Sequence, residues 1–241
     1  ARLAEGLIGR DSGSSEPSLQ VLLASSPSAD AAARAAQRLV ATEGVSALIG
    51  GFGTDQAQAL SEVAEARGVL FFNIGSPADV LRGEACRTHT FHVEASAAMY
   101  LDVLAGWFTQ SGHRRWFFVY EATDEGRALH DRAVRAVMKA DEEASVVGEA
   151  EVDPRQFVYN DEVDRIRDLE PDMIFLLLNP EDQEFFLSQY GVAGLEFPVA
   201  GFPFPIMQTR DFLFRLQQAA PEASYRASLW ETALEEGGAA D

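Results

Sequence analysis

Cysteine is almost absent from this chain. Its single Cys86 rules out an intrachain disulfide and a cysteine-built zinc cluster. Basic residues are scarce too: 19 Lys and Arg stand against 38 Asp and Glu, for a formal charge of -19 at pH 7. Phosphate backbones are gripped by clustered Lys and Arg. The one cluster here is Arg114-Arg115, so nucleic acid and anionic membranes are poor partners. The acid excess reads most simply as a solubility device. No apolar run approaches the ~20 residues that a membrane helix needs, so direct membrane insertion of this chain is not expected. No signal peptide heads the sequence, as in a mature or trimmed chain. There is no G-x-S-x-G, no P-loop and no full G-x-G-x-x-G; Gly51-Phe52-Gly53 starts like the last and breaks at Gln56. Cys86 has no evident base beside it. His89 and His92 alternate to opposite faces of a short strand, and His113 and His130 read as surface residues. No enzyme is expected, no catalytic or metal-ligating residue is assigned, and no cofactor is implied.

What the chain does have is alternation. The stretch Val45 to Pro77, VSALIGGFGTDQAQALSEVAEARGVLFFNIGSP, reads as strand, small-residue turn, helix, strand, small-residue turn. The run Ala47 to Ile49 ends in Gly50-Gly51-Phe52-Gly53-Thr54-Asp55, and the run Val69 to Phe72 ends in Asn73-Ile74-Gly75-Ser76-Pro77. Between them Ala59, Leu60, Val63 and Ala64 share a helical face. Strands alternating with helices predict a parallel sheet, and ligands of such sheets bind in crevices at the carboxyl ends of the strands. Both turns lie at carboxyl ends, with glycines for close backbone approach and hydroxyls for hydrogen bonding. A small-molecule site is the expectation.

The same pattern fills the 241 residues. Ala1, Leu3, Ala4, Leu7 and Ile8 have helical spacing, Gly9 to Pro17 is a polar loop, and Leu19 to Ala24 reads as a strand. Ser28 to Thr42 is an amphipathic helix capped by Ser28 or Asp30. After a loop over Asp79 to Arg87, a short strand is expected over Thr90 to Val93 and a helix over Ala97 to Thr109. A second set follows. Strands are expected at Trp116 to Tyr120, Ser145 to Val152, Met173 to Leu178 and Pro198 to Gly201. Helices are expected at Asp124 to Ala140, Asn160 to Leu169, Pro180 to Tyr190 and Thr209 to Ala219, with one more strand over Ala227 to Trp230. Trp107, Trp116 and Phe117 read as core. The fold class is α/β, with two doubly wound parallel-sheet lobes. The first lobe covers 1–112, the second 113–226, and 227–241 begins a return segment.

Two stretches, RLVATEGVSALIGGFGTDQAQALSEVAEARGVLFFNIGSPADVLRG (Arg38 to Gly83) and RRWFFVYEATDEGRALHDRAVRAV (Arg114 to Val137), resemble type I periplasmic solute-binding proteins of the branched-chain amino-acid-binding branch. Within that branch, FNIGSPADVLRGEACR and RRWFF look like the subfamily associated with PQQ-dependent alcohol catabolism. The resemblance implies a periplasmic, bilobal protein that closes on a small-molecule solute and delivers it to an ABC permease. A ligand-binding sensor domain of a receptor or regulator is the alternative on the same fold. The family also has a central strand before the helix at Ala1 and a return to the first lobe after Trp230. Neither is in the sequence, so a longer natural protein is expected.

The resemblance assigns site residues by position. Thr54, flanked by Gly53 and Asp55, takes the place of the hydroxyl that binds the ligand carboxylate. Gly75 and Ser76 match the next turn, and both turns can open helices whose N–H groups attract anions. In the second lobe Thr123, before Asp124, replaces a family aromatic, and Asn179 lies where a second aromatic is missing. Near Phe202-Pro203 the carboxylate that grips an ammonium is absent as well. A buried ammonium needs an anion or several acceptors, so an ordinary α-amino acid is not the expected ligand. Phe202 and Phe204 are candidates to pack an apolar or planar solute. Asp55, Asp79, Asp124 and Glu125 are either cleft acids for a cation or ordinary first-turn acids, the simpler reading.

Overall fold

The computed structural model describes residues 20–204 together with 207, 212, 214, 224 and 225. Two parallel sheets organise them. The first holds β1 (Ala47–Gly50), β2 (Leu70–Asn73) and β3 (Thr90–His92), in that order. Helix α1 (Ala29–Glu43) starts where Ser28 accepts a hydrogen bond from the Ala31 N–H at 3.3 Å and stops at Gly44, whose φ of 65° suits a residue without Cβ. With α2 (Thr54–Arg67) it covers one face of the sheet, where Ala36, Ala57 and Ala64 close on Leu48 and Phe71. The pleat sends alternate side chains to the other face. There Ile49, Phe72 and Phe91 form a row in register, with the two phenyl rings 5.6 Å apart.

The second sheet has the order β5-β4-β6-β7-β8, all parallel: β4 (Arg115–Glu121), β5 (Ser145–Val152), β6 (Met173–Leu177), β7 (Val199–Gly201) and β8 (Ser224–Tyr225). Strand β6 is buried at every position, as a central parallel strand must be when helices cover both faces. Alternation splits the core in two. Trp116, Phe118, Met173 and Phe175 point to one side, where α3 (Ala97–Gln110) and α4 (Asp124–Ala140) pack. Phe117, Val119, Ile174 and Leu176 point to the other, against α5 (Asn160–Leu169) and α6 (Pro180–Val192).

Several sequence expectations are corrected. The boundary near residue 112 puts α3 in the first lobe, yet Tyr100, Leu101, Leu104, Ala105 and Phe108 share a core with the second sheet. The chain crosses between β3 and α3, and the periodicity of α3 alone carries no mark of which sheet it serves. Leu19 to Ala24 forms no strand over its described residues, and Leu23 is 69% exposed. Trp107 is not core. It shares the outward stripe of α3 with Met99 and Val103, four residues apart, and its ring meets Tyr225 at 5.5 Å. His130 is not a surface residue. It lies on the inward stripe of α4 with Gly126, Ala133 and Val137, stacked on Tyr120 at 4.1 Å. The helix expected at Ala1, the helix at Thr209 and the strand at Ala227 fall largely or wholly outside the described residues.

Candidate functional site

At the carboxyl end of the first sheet, β1 runs into Gly51 and Gly53, with φ of 90° and 91°. A Cβ on Gly51 would sit 3.0 Å from the Ala57 Cβ and 3.1 Å from the Phe71 ring, so the backbone lies directly on helix and strand. Gly53 is the N-cap of α2 and has no side chain to offer, which leaves the first-turn N–H groups without a side-chain cap. Thr54 opens the helix, half-buried, with its Oγ1 3.4 Å from the Ser76 Oγ.

The Ser76 turn is built by Asn73, which is fully buried. Its Oδ1 accepts from the Gly75 N–H at 3.2 Å and the Ser76 N–H at 3.0 Å. Its Nδ2 donates to the Ser76 carbonyl at 2.8 Å and to His92 Nδ1 at 3.0 Å. Because the amide donates, His92 Nδ1 is the acceptor and its proton sits on Nε2. Burial first, and then the charge of Arg82, hold His92 below the usual imidazole range, which favours this neutral form. The two turns touch: a Cβ on Gly75 would come within 2.8 Å of the Phe52 ring and 3.1 Å of the Gly51 carbonyl.

The second sheet presents a matching rim. Its strand order reverses between β4 and β6, the switch point at which doubly wound sheets open a crevice. Glu121 ends β4 and spans that point. Its Oε1 accepts from the Asn179 N–H at 2.7 Å and from Asn179 Nδ2 at 2.6 Å. Asn179 follows β6 and caps α6, its Oδ1 accepting from the Asp182 N–H at 3.0 Å. Asp182 is fully buried; its Oδ2 accepts from Asn179 Nδ2 at 2.6 Å and the Arg155 N–H at 2.8 Å. Thr123 caps α4 through the Gly126 N–H at 2.9 Å. A Cβ on Gly126 would fall 2.3 Å from the Glu121 carbonyl, so the start of α4 is seated on the end of β4.

The two rims meet. Thr54 Oγ1 donates to Glu125 Oε1 at 2.8 Å, joining the start of α2 to the start of α4 across 71 residues of sequence.

A protein-family model described as periplasmic binding protein matches residues 26–223. The chain belongs to that family. No curated protein sequence matches it significantly. Among solved structures it is similar to the branched-chain amino acid transporter substrate-binding protein of Streptococcus pneumoniae in complex with isoleucine, with a TM-score of 0.80, 14% identity, 98% of this chain covered and 68% of that one. A solute-binding protein of an ABC transporter from Rhodopseudomonas palustris in complex with 3,4-dihydroxybenzoic acid gives 0.71, 17%, 91% and 61%. Another from R. palustris, in complex with benzoate, gives 0.62, 17%, 73% and 49%. The chain thus spans half to two thirds of the length of these neighbours, and at such identities the likeness is one of fold. The fold is the α/β type I periplasmic binding protein fold, and family and neighbours are solute-binding proteins rather than enzymes.

In this periplasmic binding protein the expected residues fall into three groups. Gly53, Thr54, Gly75 and Ser76 lie together on the first rim, with Asp55 exposed in the first turn of α2. Thr123 and Asn179 lie on the second rim as helix caps, and Asp124 is exposed and paired with Arg127 at 3.3 Å. Phe202 is a correction. It is fully buried in the second core, edge-on to Tyr100 at 5.9 Å and Phe204 at 4.8 Å, so it packs protein rather than solute; Phe204 is half-buried. Among the cleft acids, Asp79 caps α3 by accepting from the Ala98 N–H at 3.2 Å, and no group of metal-holding side chains occurs among the described residues. Asn73 and Glu121 escaped the sequence reading. An Asn two residues before a Gly-Ser turn was the available signal for the first; nothing local marks the second.

Proposed function

We propose that this chain is the substrate-binding component of an ABC-type importer, holding a small solute between the rims of its two sheets and passing it to a membrane permease. The supporting observation is that uncapped N–H groups of α2 and the hydroxyls of Thr54 and Ser76 converge at a sheet's carboxyl end and face a second rim. Such a start of a helix receives an anionic or strongly accepting group. Gly53, Thr54, Asp55, Gly75 and Ser76 contribute from one side, and Thr123, Asp124 and Asn179 from the other. The lobes divide at the crossover between β3 and α3. Phe202-Pro203 supplies no carboxylate for an ammonium, which favours an acid or alcohol-derived solute over an ordinary α-amino acid. That preference agrees with a finer kinship to the PQQ-associated alcohol systems. Its workplace is the periplasm, and no described helix is long and apolar enough to cross a membrane.

The test is a thermal-shift screen of isoleucine, benzoate, 3,4-dihydroxybenzoate, short alcohols and acids, PQQ and lanthanide ions. A solute at about 100 times its Kd adds about 2.7 kcal/mol, or roughly 5–10 °C in a domain of this size. Thr54→Ala with Ser76→Ala should abolish the shift. Silence from every compound, also after unfolding and refolding to strip carried-over ligand, would overturn the reading.

A further inference from the structure

We propose that Glu125 is a built-in latch: its carboxylate occupies the Thr54 hydroxyl, draws the two rims together, and must be displaced before a solute's own acceptor group can bind there. Thr54 Oγ1 has one proton to donate, and Glu125 Oε1 takes it at 2.8 Å. Ser76 Oγ, 3.4 Å away, is the remaining hydroxyl of the rim. An acceptor on a solute and the Glu125 carboxylate therefore compete for the same proton.

Both ends of the latch are anchored. On the first rim, Gly51 lies in contact with Ala57 and Phe71, and Gly75 with Phe52, so Thr54 rides on a packed double turn. On the second, the Thr123 cap and the close seating of Gly126 on the Glu121 carbonyl fix the first turn of α4, with Glu125 projecting from it. The 2.8 Å contact is a statement about how the two sheets sit. No nearby cation competes for Glu125 among the ion pairs of the described residues; Arg127, on the same turn, is held by Asp124 and by Glu151 at 2.6 Å.

The solute half of this inference rests on the function proposed above; the latch itself does not. A hydrogen bond between two partly exposed side chains, one charged, biases closure by about two- to tenfold. The experiment is small-angle scattering of the unliganded full chain, comparing wild type with Glu125→Ala, Thr54→Val and the double variant. The expected result is a larger radius of gyration in each single variant and no further increase in the double one. Glu125→Gln, which keeps an acceptor oxygen, should stay near wild type, and near-UV circular dichroism should show all four folded. Identical scattering from wild type and Glu125→Ala overturns the latch. With the carboxylates of the thermal-shift screen, Glu125→Ala should bind two- to tenfold tighter, and equal affinity overturns the competition. If no solute binds either protein while the scattering still changes, the transport reading falls and the latch stands.

Discussion

Replacing Gly126 by Ala is the most direct probe of how the second rim is held. In an exposed helix the same change ordinarily stabilises, because Ala surrenders less backbone freedom on folding; the gain is about 0.5–1 kcal/mol. Gly106, in α3, is such a position: a Cβ there meets nothing within 4 Å. At Gly126 the new Cβ would stand 2.3 Å from the Glu121 carbonyl oxygen, 2.9 Å from its Cβ and 3.0 Å from its carbonyl carbon. Two of these atoms are backbone of a buried parallel strand and cannot rotate away. Overpacking costs about 1–3 kcal/mol, and contact with backbone belongs at the upper end, so the net loss is about 2 kcal/mol after the propensity gain. In a domain of this length that is a fall of roughly 4–8 °C in Tm. Urea denaturation of Gly126→Ala and Gly106→Ala side by side should give midpoints moving in opposite directions, with unchanged m-values. If Gly126→Ala is as stabilising as Gly106→Ala, α4 is not seated on β4, and the anchoring of Glu125 loses its basis.

Other expectations follow from the same residues. His92 is held below its ordinary pKa of 6.5, so the unfolded chain binds its proton first; its contribution is present above about 6.5 and is lost as pH falls towards the folded value. Stability measured at pH 7.5 and 5.5 should drop with acid in wild type and drop less in His92→Gln; equal slopes would remove His92 from the account. Asn73→Ala strips two N–H groups and one carbonyl of a buried turn of their partner, a loss of about 3 kcal/mol, and solute binding should go with it. Retained binding by that variant would mean the turn is held by something other than Asn73. Gly201→Ala would place a Cβ 2.0 Å from Gln183 Oε1, whose amide already donates to the Leu178 and Phe202 carbonyls. A lower denaturation midpoint by about 2 kcal/mol is expected, and an unchanged midpoint would show that Gln183 has another place to go.

Most of the fold could be read from periodicity and punctuation. The Ser28 cap, the Gly44 stop, the five apolar residues of β6 and the Asn179-Pro180 start of α6 are local signals, and the helices at Asp124–Ala140 and Asn160–Leu169 fall where the sequence puts them. The first rim was legible for the same reason: glycines and hydroxyls at strand ends announce a turn that must approach something closely. What stayed hidden is long-range. Glu125 carries the ordinary signature of a first-turn acid, and only the placement of the second sheet brings it to Thr54. Glu121 is one strand residue among alternating ones until β6 arrives beside it. Trp107 and His130 depart from expectation because position on the helix outweighs residue type: a Trp on an outward stripe stays outside, and a His on an inward stripe goes in with its helix.

The helix Ala97–Gln110 follows the first sheet in sequence but is packed with the second, and its first N–H groups still reach back to the Pro77 carbonyl at 2.7 Å and to Asp79. Anyone dividing the gene to obtain the second lobe alone would lose Tyr100, Leu101, Leu104 and Phe108 by cutting at the Gly112 turn, and would strip one wall from the Trp116 and Phe118 core. A cut just before Ala95 keeps that wall. The packing unit of the second sheet therefore begins at Ala95, directly after β3 ends at His92, and not at the Gly112 turn.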